Sequence, residues 1–298
     1  MTNTLRLFIV VAVAGIGLAS CENPSGSTGT TQPPVKEQLD SAEKARRQEL
    51  QKIFFSIPSP VEMASLIKDK GYSFDANMLN KTDNVSKYTG EVKQAVNLGI
   101  YGADLSYAAI FDEKQVTMNY FAGAQKLASQ LGIENVLTGE LIERLEKNQE
   151  SRDSLLNIVS DAYADLNGYL KENDRSEVAA LVVAGGWIEA LYLSIGYAKD
   201  NNPDIRKRIA EQKYALTNLT DYFAKFGNKE SLKEMKADLE AMKAIYNNSQ
   251  ESKGKTSQSK DASGTVVLGS TTNITISDET LKAIETKVTE LRNKYTSI

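Results

Sequence analysis

Two stretches of this chain are apolar on nearly every side. One runs from Val96 to Phe111, the other from Val178 to Ala198. A helix that is hydrophobic all round has to be buried all round, in a large protein core or in a membrane. Each stretch carries one acid, Asp104 in the first and Glu189 near the middle of the second, and both are rich in glycine and tyrosine. Ionisable groups are expensive in hydrocarbon, so these are expected to be the central pair of a helical bundle and not membrane spans. Gly99, Gly102, Ala103, Gly185 and Gly186 would let the two backbones approach closely. Glycine inside a helix costs about 0.8–1.0 kcal/mol against alanine, so their presence implies a compensating reason, either tight packing or room for a ligand.

The remainder supplies the wrapping. The chain has 6 prolines. All but one precede residue 61, and Pro203 sits where the first turn of a helix tolerates it. Periodicity predicts helices at 40–55, 60–70, 85–111, 114–131, 139–149, 152–172, 175–199, 203–226 and 229–247, with 72–83 a loop of Asx turns. Leu232, Met235, Leu239, Met242 and Tyr246 mark one amphipathic face. Residues 249–264 read as a polar linker without periodicity. Val266–Leu268 and Ile274–Ile276, flanking Gly269–Asn273, read as a short β-hairpin. A last helix from Asp278 sets Leu281, Ile284, Val288, Leu291 and Tyr295 on one face. That face needs a cover: the bundle, a second copy, or another protein. The expected fold class is all-α, a multi-helix bundle with a central apolar helix pair and a small C-terminal β-hairpin plus helix appendage. The domains are then a bundle over 38–248 and the appendage over 265–298.

The amino-terminal region reads as an address. Arg6 precedes an apolar run from Leu7 to Leu18, too short for a lasting span and right for a signal-peptide core. Leu18-Ala19-Ser20-Cys21 resembles the bacterial lipobox, in which the peptide is cleaved before a cysteine that becomes lipidated. Residues 1–20 are therefore expected to be a lipoprotein signal peptide and Cys21 the lipidation site. Residues 21–37, dominated by Ser, Thr, Gly and Pro, read as a flexible tether. The membrane is then a partner through the N-terminal lipid, anchoring the protein in the cell envelope without a span. Only Glu22 is acidic after the cysteine. That favours a periplasm-facing position at the outer membrane over export to the surface.

The strings Ser56–Ser65, Asn97–Tyr107, Asn148–Asn157 and Ala179–Leu193 resemble an uncharacterised all-helical lipoprotein family of the Bacteroidota lineage. The likeness covers roughly residues 50–248. It implies the anchor and the helical body, and it supplies no activity.

Chemistry is narrowed by what is missing. The 298 residues include no histidine and a single cysteine. His-dependent nucleophilic triads, His-ligated metals and intramolecular disulfides are thereby excluded. With 35 Lys and Arg against 39 Asp and Glu, no basic stripe marks a nucleic-acid binder. Phosphate-loop, dinucleotide and EF-hand patterns are absent, so neither a cofactor nor a metal is expected. The anomaly is Asp104 and Glu189 within apolar helices. With Tyr101, Tyr107, Trp187 and Tyr192 they could line a ligand pocket; alternatively each is satisfied internally, by a tyrosine, Asn97 or a lysine, and fixes helix register. Three functions follow: a non-enzymatic envelope lipoprotein acting as scaffold or partner-binding body, with self-association or an envelope protein partner through helix 278–298; a small-molecule binding or sensing module beside Trp187; and an acid-dependent hydrolase using Asp104 and Glu189.

Overall fold

The structure is a computed structural model that describes residues 60–133, 137–148, 151–260 and 266–298. The signal peptide, Cys21, the tether and the helix expected at 40–55 lie outside the described residues. The helices are α1 (Pro60–Asp69), α2 (Glu91–Ile110), α3 (Lys114–Gln130), α4 (Gly139–Lys147), α5 (Arg152–Glu172), α6 (Ser176–Gly196), α7 (Pro203–Ala224), α8 (Glu230–Tyr246) and α9 (Asp278–Thr296). Between α8 and α9 lie strands β1 (Gln250–Lys260) and β2 (Val266–Thr275).

Local chemistry sets the ends. Asn202 caps α7 by accepting from the amides of Asp204 and Ile205, with Pro203 in the first turn. Ser151 and Ser277 cap α5 and α9 in the same way, each satisfying one of the free amides at a helix start. The expected loop at 72–83 contains an Asx turn, Asp75 accepting from the Asn77 amide at 2.9 Å. The expected start of α2 at 85 is six residues early. Thr82–Lys87 forms a 3-10 turn, and Gly90, at φ +84°, breaks the helical path before Glu91.

The central pair is α2 and α6, which pack against each other more extensively than any other pair of helices among the described residues. Every residue from Ala95 to Ile110 and from Val178 to Leu191 is buried. By length and a mean hydropathy of 1.8, α6 could cross a membrane, but 94% of its apolar window is buried inside the fold. The glycines explain the closeness. A methyl group on Gly99 would overlap the Val182 carbonyl and the Gly186 amide, and one on Gly185 would overlap the Val96 carbonyl. Around this pair stand α1, α3, α5, α7 and α9; α4 lies against α5, and α8 against α7 and α9.

The appendage differs from expectation in two ways. The supposed linker is β1, and the supposed turn Gly269–Asn273 lies within β2, which pairs antiparallel with β1 along its length. Gly254 and Lys255 oppose Thr271 in a bulge. β1 has no apolar alternation, so periodicity could not mark it; its order comes from pairing. The sheet is held at its base, where β2 packs on α7 and Ile274 is buried. The apolar face of α9 is covered by this chain's own bundle, through α6, α8 and α2.

Candidate functional site

Asp104 and Glu189 face one another across the α2–α6 seam, both 0% exposed. Their carboxyl groups lie within hydrogen-bonding reach of each other. The third member is Arg292 of α9. Its Nε donates to Glu189 Oε1 at 3.0 Å and Oε2 at 2.8 Å, and its Nη2 donates to the Met78 carbonyl at 2.9 Å. The guanidinium also lies over the Tyr192 ring, 4.2 Å from its centroid. A planar cation with several fixed donors suits such a site, because it can pair with a carboxylate, a carbonyl and an aromatic face at once.

The segment before α2 closes the cluster. The Asn80 amide N–H donates to Asp104 Oδ2 at 3.1 Å. Its side-chain Nδ2 donates to Tyr88 Oη and Asn97 Oδ1, and its carbonyl accepts from Tyr120 Oη at 2.7 Å. Asn97 in turn donates to the Tyr295 carbonyl at 2.9 Å, and Lys93 Nζ to the Ser297 carbonyl at 2.8 Å. Carbonyls left open at the end of α9 are thus met by side chains of α2. A second anchor fixes the same helix: Asp238 of α8 accepts from Tyr295 Oη at 2.7 Å and Lys294 Nζ at 2.6 Å.

Electrostatics follow from burial. Desolvation, then the charge of Glu189, pushes the Asp104 carboxyl well above the usual carboxylate range, against the pull of Arg292. Burial also raises Glu189, but the Arg292 charge and its hydrogen bonds oppose the shift. For Arg292, burial acts to lower the pKa; the negative charge of Glu189 outweighs it and holds the guanidinium above its usual value. Tyr101 and Tyr120 are raised by burial first and then by the neighbouring charges. They stay neutral hydroxyls.

The six residues expected to line one pocket turn to different partners. Asp104 and Glu189 come together, and Tyr192 joins them through Arg292. Tyr101 Oη donates to the Lys81 carbonyl at 2.7 Å. Tyr107 belongs to an aromatic cluster with Phe74, Phe111 and Tyr197, its hydroxyl bonded to that of Tyr197. Trp187 is 3% exposed, and its Nε1 donates to Gln212 Oε1 at 3.1 Å. Two cavities lie elsewhere. One of about 30 Å³ is lined by carbon groups such as Leu105, Phe121, Leu141 and Leu166. The other, of about 300 Å³, lies at the α7–α8 turn beside Phe223, Lys236 and Glu240. Neither is lined by Trp187, Asp104 or Glu189. Among the described residues, no group of three or more Cys, Asp or Glu side chains is placed to hold a metal ion.

Sequence reasoning missed Arg292 and Asn80. Arg292 had a signal: it lies four residues after Val288 and three before Tyr295, at the edge of the apolar stripe of α9. Asn80 meets Asp104 through its backbone amide, which no side-chain pattern reveals.

No family model, no curated protein and no solved structure matches this chain.

Proposed function

We propose that this chain is a lipid-anchored protein of the bacterial cell envelope whose helical body acts without catalysis, as a scaffold or partner-binding element. The observation that carries the non-catalytic part is the fate of the two acids. Both are 0% exposed, and their partners are Arg292, Asn80 and each other. A hydrolytic pair of carboxyls must flank a cleft that admits substrate and water, and this pair is sealed inside a helix seam. A binding module beside Trp187 gains no support either, because that indole is already hydrogen-bonded within the core. Anchoring rests on the sequence Leu18-Ala19-Ser20-Cys21 after its short apolar run.

The α9 face is occupied by its own bundle, so a partner would meet the remaining surface or the hairpin. Metabolic labelling with a fatty acid tests the anchor. The wild-type protein should be labelled and sediment with membranes; C21S should do neither. Unlabelled wild-type protein, or C21S that still fractionates with membranes, would overturn the anchor. Crosslinking in intact cells followed by affinity capture tests the partner role; failure to recover a reproducible partner would count against it.

A further inference from the structure

Asp104 Oδ1 is buried, and as a carboxylate oxygen it has no hydrogen-bond partner, alone in this among the described residues' buried side-chain nitrogens and oxygens. An unmet buried acceptor is costly, and more so when charged. Its neighbour is the carboxyl of Glu189, and two carboxylates are acceptors only. The contact becomes a hydrogen bond when one of the two carries a proton. Glu189 is the member paired to Arg292 through both oxygens, so it is the one held as the anion. Other titratable groups around the pair are Tyr101 on α2, Tyr120 on α3, Tyr88 just after the 3-10 turn that precedes α2, and Arg292 on α9. The tyrosines bring no charge at neutral pH, so Arg292 is the cation that the two acids share.

We propose that Asp104 is a neutral carboxylic acid at neutral pH, its Oδ1–H donated to Glu189, and that this single proton together with Arg292 forms a charge-neutral latch holding α9 on the central helix pair. The proton is gained from water when the seam closes and returned when it opens; no bond other than O–H changes. The latch is therefore pH-sensitive. A group whose folded pKa lies above its unfolded value adds stability that is complete below the unfolded value and is lost as pH rises through the folded one. For Asp104 the unfolded reference is 3.8, so docking of α9 weakens toward alkaline pH.

Infrared spectroscopy of the full-length protein, labelled with carbon-13 at aspartate side-chain carboxyls, reads the proton directly. At pH 7 one aspartate should show the carbonyl stretch of a protonated acid, and D104N should lack it. In E189Q the same signal should shift in frequency, because burial still favours the protonated Asp104 while the carboxylate that accepts its proton is gone. This second variant keeps the assignment testable if D104N fails to fold. Thermal unfolding midpoints should shift in favour of D104N over wild type as pH is raised from 5 to 8. A wild-type spectrum at pH 7 with every aspartate ionised would overturn the latch, as would an acid band that E189Q leaves at the same frequency.

Discussion

At the residue scale, the molecule is organised around a cation supplied from far along the chain. Arg292 is 12% exposed and its partner Glu189 0%. A buried ion pair is weak support for stability in itself, since desolvation of both charges offsets their attraction. Removing one partner is another matter, because the remaining charge is stranded. R292A should therefore destabilise the fold by about 3–5 kcal/mol, read from the urea midpoint; a loss under 1 kcal/mol would mean that water reaches Glu189 once the side chain is gone. The acids themselves were legible in the sequence, as polar groups in helices with no polar face. Their partners were not. Asn97, one of the alternative partners open to the acids in the sequence, bonds Asn80 and the Tyr295 carbonyl. An arginine at the margin of an amphipathic stripe resembles any surface arginine until the helix is docked.

At the scale of elements, the contact between α2 and α6 depends on backbone meeting backbone. Gly99 lies against the Val182 carbonyl and Gly185 against that of Val96. G99A and G185A should each lower stability, although alanine is the better helix former; overpacking typically costs about 1–3 kcal/mol. Gly168 in α5 is the internal control, since a methyl group there meets nothing. G168A should raise stability by about 0.8–1.0 kcal/mol. Equal effects at the three sites in thermal unfolding would show that propensity, not packing, decides. The close glycine approach was visible in the sequence because small residues recurred within apolar helices. The β1–β2 ribbon was not, because long-range pairing orders β1 where no alternation announces it. The late start of α2 was hidden for a related reason: the apolar pattern continues past Gly90, while the backbone there takes a path that a helix cannot follow.

At the scale of the whole molecule, the described core is continuous from α1 to α9, and the single Trp187 reports on it. Buried at 3% exposure and bonded to Gln212, it should emit at short wavelength and resist quenching by acrylamide. Its red shift on unfolding should coincide with loss of helical circular dichroism, as expected of one cooperative unit. Separate transitions would divide the bundle into independently melting parts. Architecture at this scale was largely readable, since buried and amphipathic helices differ in pattern; the order in which they close was not. That order matters during synthesis. Glu189 leaves the ribosome about a hundred residues before Arg292, and nascent chains emerge at about 5–20 residues per second. For several seconds the growing polypeptide holds both acids without their cation. A seam closed between its two greasiest helices in that interval would hold Glu189 without its ion-pair partner, so its final form waits for the arginine.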